Sequence, residues 1–350
     1  MGFEENLRKV APYVPGEQPR DKNIIKLNTN ENPYPATPKA VEALSAMSSD
    51  KYRLYPPTDA GELGRALAEY YGRPFENTFV GVGSDDVIAT IFLTCFNSKK
   101  PVLFPDITYS FYDVWADLYG IPFKMLPLDE DFRVRKEDYL QENGGIVIAN
   151  PNAPTSVAMP FDDVEFIIKN NPDSVVVVDE AYVDFGGTSV LPLLDKYDNL
   201  VVVRTFSKSR SMAGVRIGFC FASKKIIDAM NDVKFSINSY TMNITSIVAG
   251  VEAVKDDDYF KKTVAKVVVT RDRSAARLKE LGFRVLDSST NFLFVSHERV
   301  GAEEIFTKLK ERKIFVRFFN KPRINNFLRI TIGTDEQMEV LFKELEDILK

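Results

Sequence analysis

Histidine and cysteine are almost absent from this chain. Among its 350 residues only His297 is a histidine, and only Cys95 and Cys220 are cysteines. A single histidine excludes a histidine-based catalytic triad and a multi-histidine metal site, so acid–base chemistry falls to lysine, tyrosine or a carboxylate. Both cysteines stand among apolar residues, which predicts buried thiols in a reducing compartment and no disulfide framework. No spacing of cysteines or carboxylates predicts a metal site.

An excess of positive charge is missing as well. The formal net charge of −5 and the pI of about 5.3 argue against general binding to nucleic acid or to anionic membranes. No apolar run is long enough to span a bilayer, and the acidic first residues are unlike a secretory signal. With 45% hydrophobic residues the chain can form a sizeable core. These features predict a cytoplasmic globular protein.

Short β-branched segments alternate with helical patterns through the middle of the chain. Segments 101–105, 145–149, 175–179 and 200–204 are apolar on both faces, as in strands covered on both sides. Helical periodicity lies between them, for example at 108–119 and 161–169. This alternation predicts an α/β fold with a mostly parallel sheet, helices on both faces, and ligands at the carboxyl ends of the strands.

The pattern changes after about residue 243. A long helical stretch through residue 279 precedes alternating strands and helices, which predicts a smaller α+β domain. The first residues are rich in proline, asparagine and charge and predict an arm packed against that domain. The predicted division is an arm at 1–30, a large cofactor-binding domain at 31–242, and a small α+β domain at 243–350.

The most informative segment runs from Thr205 to Arg216. Lys208 follows a predicted buried strand, with small hydroxyl residues beside it and Arg216 further along. A lysine in this setting can hold an aldehyde cofactor as a Schiff base, while the hydroxyls and the arginine bind a phosphate. Upstream, Asp179 ends a run of valines, so its carboxylate needs a cationic partner, which a protonated ring nitrogen would be. Together these residues predict an enzyme that uses pyridoxal 5'-phosphate.

Three further residues could contact such a cofactor. Tyr182 follows the valine strand, and Asn152 stands in an Asn-Pro turn after another strand. Either side chain could donate a hydrogen bond to a phenolic oxygen, although asparagine and proline make turns everywhere. Tyr109 could stack on an aromatic ring, or it could belong to the core.

A glycine turn at 81–86 precedes a predicted helix. The dinucleotide-binding fingerprint needs a third glycine where Asp86 stands, so that interpretation is poor. The turn instead exposes the backbone amides of Ser84 and Asp85 at a helix N-terminus, where a phosphate can bind. An ordinary capped helix explains the same pattern equally well.

Arginines in the second half of the chain are candidates for binding an anion. Arg329 lies within an apolar strand pattern, where a guanidinium is costly unless it meets an anion. That anion is either a substrate carboxylate or a partner in a structural ion pair. Arg317 and Arg323 form a second basic group, suited to another anion or simply exposed on the surface.

Several motifs in this chain resemble those of the fold-type I aminotransferases, and the match covers essentially the whole chain. They are Leu27-Asn-Thr-Asn-Glu-Asn-Pro-Tyr-Pro35, Gly81-Val-Gly-Ser-Asp-Asp86, Asn150-Pro-Asn-Ala-Pro-Thr155, Val178-Asp-Glu-Ala-Tyr-Val-Asp-Phe185, Arg204-Thr-Phe-Ser-Lys208 with Arg216-Ile-Gly-Phe219, and Leu328-Arg-Ile-Thr-Ile-Gly-Thr334. The lysine motif is specific to the fold type. The first and fourth motifs resemble the members that act on histidinol phosphate.

The resemblance implies a role for each matched residue. Lys208 holds the cofactor and later moves the proton of the substrate's α-carbon, and Asp179 pairs with the ring nitrogen. Asn152 and Tyr182 hold the phenolic oxygen, and Tyr109 stacks on the ring. The residues implied around the cofactor phosphate are Ser84, Asp85, Thr205, Ser207 and Arg216.

The resemblance also implies a homodimer with shared active sites. Tyr55 matches a tyrosine that reaches the cofactor phosphate of the neighbouring subunit. Arg329 is implied as the clamp for the α-carboxylate, Arg317 as a ligand of the substrate phosphate, and Tyr13 as an arm residue over the substrate.

The implied reaction is transamination of histidinol phosphate with 2-oxoglutarate in histidine biosynthesis. In the biosynthetic direction it consumes imidazole-acetol phosphate and glutamate. The alternatives on the same scaffold are an aromatic amino acid aminotransferase and a threonine-phosphate decarboxylase. A cofactor-binding regulator without turnover would not need the complete set of lysine, aspartate and arginines.

Overall fold

The computed structural model describes residues 2–19, 21 and 23–350, so residues 1, 20 and 22 of the predicted arm lie outside the described part. The strands in that part are β1 Ile25–Lys26, β2 Thr78–Gly81, β3 Val102–Pro105, β4 Phe123–Leu126, β5 Gly145–Ala149, β6 Val176–Asp179, β7 Leu200–Thr205, β8 Gly218–Ala222, β9 Phe283–Val285, β10 Phe292–His297, β11 Ile314–Phe315, β12 Arg317–Phe318 and β13 Leu328–Thr331. The helices are α1 Pro38–Ser45, α2 Gly61–Tyr71, α3 Ser84–Cys95, α4 Tyr112–Tyr119, α5 Phe161–Lys169, α6 Lys224–Ile237, α7 Ile244–Lys255, α8 Asp257–Glu280, α9 Ala302–Glu311 and α10 Asp335–Ile348. None of the described helices is long and apolar enough to cross a membrane.

The main sheet has seven strands in the order β2-β8-β7-β6-β5-β3-β4. Neighbouring strands pair in parallel except at β8, which is antiparallel to both β2 and β7. Along β6, Val176 and Val178 belong to one apolar cluster and Val177 to another, so both faces of the sheet are covered. This confirms the predicted α/β fold with a mostly parallel sheet.

The valine-rich and isoleucine-rich segments form strands close to the predicted positions. The helix predicted at 161–169 is present as α5. The helix predicted at 108–119 begins only at Tyr112, so Tyr109 lies in the turn before α4 and not on the helix. This turn follows β3 and lies near the carboxyl ends of the central strands.

A second sheet of four antiparallel strands follows, in the order β12-β13-β10-β9. The single helix predicted after residue 243 is interrupted at Asp256, where α7 ends and α8 begins. Helix α7 contributes Ile247 and Val251 to the core beneath the main sheet. The division at residues 242 and 243 stays a prediction, and the packing of α7 favours a boundary nearer to Asp256.

The N-terminal arm contacts both parts of the chain. Strand β1 pairs in parallel with β11, and Glu17 forms an ion pair with Lys310 at 2.8 Å. Nearer to the terminus, the ring of Tyr13 stacks on Phe111 with centroids 4.1 Å apart. The arm therefore extends from the second sheet to the turn that precedes α4.

Candidate active site

A cavity of about 140 Å³ lies at the edge of the main sheet where the carboxyl ends of β5, β6 and β7 meet. Most of the predicted cofactor residues line it: Ser84, Asp85, Tyr109, Asp179, Tyr182, Ser207, Lys208 and Arg216. The structure therefore brings together side chains from separate loops at the position expected for a ligand of such a sheet. The other three predicted cofactor residues, Asn152, Thr205 and Tyr55, do not line this cavity.

Lys208 projects into this cavity from the turn after β7. Its Nζ lies 3.4 Å from the backbone oxygen of Thr29 and 5.7 Å from the centroid of the Tyr182 ring. Within the described part of the chain, no carboxylate lies within ion-pair distance of this ammonium group. The amine is thus available to an aldehyde ligand, and the side-chain amide of Asn32 holds its turn by donating to the Lys208 oxygen.

Asp179 lies at the end of β6 and is only 5% exposed. Its carboxylate accepts hydrogen bonds from the Tyr112 hydroxyl at 2.9 Å and from the Ala181 amide at 3.1 Å. Burial raises the pKa of Asp179 to about 6, although these two hydrogen bonds act in the opposite direction. No arginine or lysine of the described residues forms an ion pair with it, so a cationic ligand atom would find an unpaired buried carboxylate.

The opposite end of the cavity is built to hold an anion. Arg216 directs its Nη1 toward Ser207 Oγ at 3.5 Å and its Nη2 toward Asp85 at 3.2 Å. Thr205 lies behind Ser207. Its Oγ1 accepts a hydrogen bond from the Ser207 backbone N–H at 3.1 Å, and its hydroxyl donates to Ser207 Oγ at 3.0 Å. Thr205 therefore supports Ser207 and does not reach the cavity itself. Asp85 also accepts a hydrogen bond from the Tyr109 hydroxyl at 2.8 Å.

Two glycines allow the chain to form this anion site. Gly83 has a φ of +84° before the first turn of α3, and a Cβ there would lie 2.4 Å from Arg216 Nη2. A Cβ at Gly218 would lie 2.2 Å from the backbone nitrogen of Ser84. Strand β8 can therefore pass directly beneath the N-terminus of α3. No side chain caps that N-terminus, which leaves its amides free for an anion.

Tyr182 is held at the cavity wall by a polar network that reaches the second sheet. Its hydroxyl accepts a hydrogen bond from Asn30 Nδ2 at 2.8 Å, and Asn30 Oδ1 accepts one from the Thr331 hydroxyl at 3.1 Å. The Tyr182 hydroxyl therefore keeps its own proton for donation to a ligand. Asn30 lies in the motif at residues 27–35, but nothing in that motif predicted its contact with Tyr182.

Asn152 and Tyr55 occupy other places. The amide nitrogen of Asn152 donates to the Ile107 oxygen and to Thr155 Oγ1, both at 2.9 Å, so both its protons are engaged. Tyr55 is 80% exposed and stacks on Tyr240 with centroids 4.5 Å apart. Neither placement tests the roles implied by the resemblance, which stay predictions.

A larger cavity of about 580 Å³ adjoins the first, and Tyr109 lines both. Tyr13 of the arm and Arg317 of β12 also line the larger cavity, whereas Arg329 lines neither cavity. Arg323 lines it too, but its guanidinium donates to Asp106 at 2.9 Å. It also donates to the backbone oxygens of Leu128 and Asp129. The hydrogen bonds of Arg323 are thus made within the protein, and its guanidinium is not available to bind a substrate anion.

Arg317 and Arg329 lie directly opposite each other on neighbouring antiparallel strands. Arg329 Nη2 donates to the Asn28 oxygen at 3.0 Å, while its buried Nε has no hydrogen-bond partner. Burial lowers the pKa of Arg329, and the charge of Arg317 lowers it further. Like charges in this register destabilise a sheet, and among the described residues neither arginine has an ion-pair partner. The pair is thus suited to bind an anion.

Two groups next to the cavity were not predicted from the sequence. Tyr112 bonds Asp179, and Arg204 of β7 forms an enclosed network with Glu180 and Asp184. Tyr112 stands three residues after Tyr109, but no local pattern pairs it with an aspartate on another strand. Arg204 interrupts an apolar strand, as Arg329 does, and this shared signal could have found it.

Comparisons with known proteins bear on the family and the fold of this chain. The profile of the family "Aminotransferase class I and II" matches residues 22–345. The chain is 50% identical over 350 residues to the histidinol-phosphate aminotransferase of Lactococcus lactis subsp. cremoris strain MG1363, which covers 100% of this chain and 98% of that protein. It is 47% identical over 349 residues to the histidinol-phosphate aminotransferase of Brachyspira hyodysenteriae, with 99% of each covered.

The same fold occurs in the crystal structure of histidinol-phosphate aminotransferase from Sinorhizobium meliloti in complex with pyridoxal-5'-phosphate. The two structures superpose with a TM-score of 0.86 at 24% sequence identity, over 93% of this chain and 90% of that chain. At this level of identity the likeness shows the fold.

Proposed function

Because the chain belongs to the class I and II aminotransferases, we propose that it transfers an amino group between histidinol phosphate and 2-oxoglutarate. In the biosynthetic direction it would consume imidazole-acetol phosphate and glutamate, as a step of histidine biosynthesis. Relatives near 50% identity over the full chain support this substrate. The observation that carries the proposal is the pair Arg317 and Arg329, which lie opposite each other and form no ion pair with a carboxylate of the described residues.

Pyridoxal phosphate is the cofactor of this family, and the small cavity fits it. The unpaired carboxylate of Asp179 suits a protonated ring nitrogen, and Lys208 suits an aldehyde. At the other end, Arg216, Ser207 and the free amides of α3 suit a phosphate. When bound, the cofactor supplies an aldehyde that takes up the amino group and a ring that withdraws electrons from the adjacent carbon.

Each residue around the cofactor position would have a separate role. Lys208 Nζ takes the proton from the substrate's α-carbon and later returns it, because no other amine lines the small cavity. Asp179 would stabilise a positive charge on the ring nitrogen of the bound cofactor, and the Tyr182 hydroxyl would donate a hydrogen bond to the phenolic oxygen. Tyr109 would stack on the ring. Asn152 would join Tyr182 only after its amide releases Thr155.

The substrate would lie in the larger cavity, between the arm and β12. Arg329 lies opposite Arg317 but lines neither cavity, so its guanidinium would have to turn toward the larger cavity to bind the α-carboxylate of glutamate or 2-oxoglutarate. The second oxygen of that carboxylate could then satisfy the orphaned Nε. Arg317, which lines the cavity, binds the phosphate of histidinol phosphate. Tyr13 closes the arm over the substrate, held there by its stacking on Phe111.

We further propose that Tyr55 completes the phosphate site of a second copy of the chain. Members of this family are generally dimers that act on small amino-acid substrates. Tyr55 does not line the cavity of its own chain, and its exposed ring stacks on Tyr240, which joins two segments with exposed apolar side chains. These side chains are Tyr52, Leu54 and Tyr55 in one segment and Phe235, Ile237 and Tyr240 in the other. Exposed apolar side chains brought together in this way are typical of a protein–protein interface.

The reaction is tested with the visible absorption of the purified protein. Histidinol phosphate should convert the band of the lysine-bound cofactor, and 2-oxoglutarate should restore it. Lys208→Ala should bind the cofactor without forming that band. Conversion by aromatic amino acids alone would overturn the substrate and leave the cofactor assignment intact. Release of carbon dioxide from threonine phosphate would indicate the decarboxylase instead, and the absence of any band after adding pyridoxal phosphate would contradict the role of Lys208.

A further inference from the structure

Tyr112, the first residue of α4, has a buried hydroxyl that bonds the Asp179 carboxylate. Its side chain is 0% exposed, and its hydroxyl donates to Asp179 Oδ2 at 2.9 Å. The other oxygen, Oδ1, accepts the Ala181 amide at 3.1 Å. Each carboxylate oxygen is therefore held from a different part of the chain, one from α4 and one from the loop after β6. Two such bonds fix the plane of the carboxylate.

Aromatic side chains pack around the Tyr112 ring and hold it in this position. Phe104 packs edge-on against it with centroids 5.9 Å apart, and Tyr109 does the same at 5.7 Å. Phe92 lies nearly parallel at 6.5 Å. Within the described part of the chain, Asp179 is the partner recorded for the Tyr112 hydroxyl. The tyrosine is therefore a rigid donor aimed at one acceptor.

We propose that Tyr112 is a positioning residue for catalysis, which orients the Asp179 carboxylate toward the ring nitrogen of the bound cofactor. This inference rests on the proposed use of pyridoxal phosphate. Tyr112 touches neither the cofactor position nor the substrate position, and its side chain lines neither cavity. Its effect must pass through Asp179.

The charges around Asp179 explain why it needs such a donor. Burial favours the neutral acid, and the carboxylates of Asp85 and Glu180 favour it too, whereas the Tyr112 hydrogen bond favours the ionised form. Burial also raises the pKa of Tyr112 well above its ordinary value, so the hydroxyl remains a donor. Without it, Asp179 would more often be neutral and would attract a protonated ring nitrogen less.

The test is a double-mutant cycle with Tyr112→Phe and Asp179→Asn. Affinity for pyridoxal phosphate is measured through the fluorescence of Trp115, the only tryptophan of the chain, which packs against Tyr112 with centroids 6.4 Å apart. We expect Tyr112→Phe to weaken cofactor affinity about tenfold in the wild-type background and hardly at all in the Asp179→Asn background. Equal losses in both backgrounds would overturn the inference.

Tyr139→Phe is the matched control. Tyr139 is a buried tyrosine of the same sheet's core, and its hydroxyl has no hydrogen-bond partner recorded in the described part of the chain. Its replacement should leave cofactor affinity unchanged. If Tyr112→Phe has no more effect than Tyr139→Phe, Tyr112 does not position Asp179.

A second measurement separates positioning from a general loss of structure. The affinity for an analogue of pyridoxal phosphate with carbon in place of the ring nitrogen should be the same in Tyr112→Phe and the wild type. A loss for both ligands alike would show that the hydroxyl only maintains the fold, which overturns the inference. If the wild-type protein itself binds no pyridoxal phosphate, the proposed function fails, and the inference fails with it.

Discussion

The guanidinium of Arg204 and the carboxylate of Glu180 form an enclosed ion pair, with Nη2 and Oε2 2.8 Å apart. Arg204 also reaches Asp184, whose other oxygen accepts the hydroxyl of Ser209 at 2.6 Å. Glu180 follows Asp179 in the chain, and Ser209 follows Lys208. The network therefore joins the loop that carries the aspartate to the turn that carries the lysine.

Arg204→Gln should destabilise the protein strongly. Removing one partner of a buried ion pair leaves the other charge unpaired, which costs about 3–5 kcal/mol of unfolding free energy. The matched control is Arg284→Gln, because Arg284 pairs with Asp131 at 3.2 Å on the surface and should contribute less than about 1 kcal/mol. Urea denaturation of the two variants measures the difference. Equal losses would mean that the Arg204 network contributes no more than a surface pair.

Gly218→Ala should disrupt the anion site. The new methyl group would lie 2.2 Å from the Ser84 nitrogen and from the Gly83 carbonyl carbon, so the N-terminus of α3 must shift. We expect weaker binding of pyridoxal phosphate, by about tenfold or more, together with a lower unfolding free energy. Gly214→Ala is the control, because nothing lies within 4 Å of a Cβ at that position. Titration with the cofactor compares the two, and unchanged affinity in Gly218→Ala would refute the close approach.

Arg329→Met should raise the KM for 2-oxoglutarate and the KM for glutamate by about 100-fold, since both carry an α-carboxylate and a charge-assisted clamp is lost. Cofactor affinity should not change. The apoprotein should be at least as stable as the wild type, because a buried Nε without a partner is removed and the repulsion from Arg317 ends. Steady-state kinetics and urea denaturation measure these effects.

Arg317→Met should act on a different substrate. We expect a higher KM for histidinol phosphate and little change for 2-oxoglutarate, because only the former carries a phosphate. Lys321→Met is the control, since Lys321 lines the same cavity but is exposed. A rise in KM that is equal for all substrates would assign Arg317 to the fold and not to the phosphate.

Asp179 should make the stability of the apoprotein depend on pH. Its pKa is about 6 in the folded protein and ordinarily 3.8, so the folded state binds more protons between these values. Its contribution to stability is therefore complete below the ordinary pKa and is lost as pH rises through about 6. Compared with the wild type, apo Asp179→Asn should gain roughly 2 kcal/mol between about pH 4.5 and about pH 7.5.

Urea denaturation of both apoproteins at the two pH values checks this prediction. The difference between the variant and the wild type isolates Asp179 from other titrating groups. If the difference in unfolding free energy between variant and wild type stays constant with pH, burial does not raise the pKa of Asp179 in the absence of the cofactor.

Much of the fold was predictable because its cause is local. Segments 145–149, 175–178 and 200–203 are apolar at consecutive positions, as in strands covered on both faces, and they lie in strands β5 to β7 of the structure or directly before them. The position of Asp179 and of Lys208 at the ends of such strands follows from the same pattern. The antiparallel strand β8 was not predicted, since its apolar residues would suit either direction.

The sequence by itself determined which residues are chemically suited to the site: a lysine after a buried strand, an aspartate at the end of another, and arginines within apolar surroundings. Only the tertiary structure decided their partners. Tyr112 meets Asp179, Arg317 lies opposite Arg329, and the amide of Asn152 is taken by Thr155. Periodicity and composition report the burial of a residue, whereas a hydrogen bond or a strand register depends on how distant segments pack together.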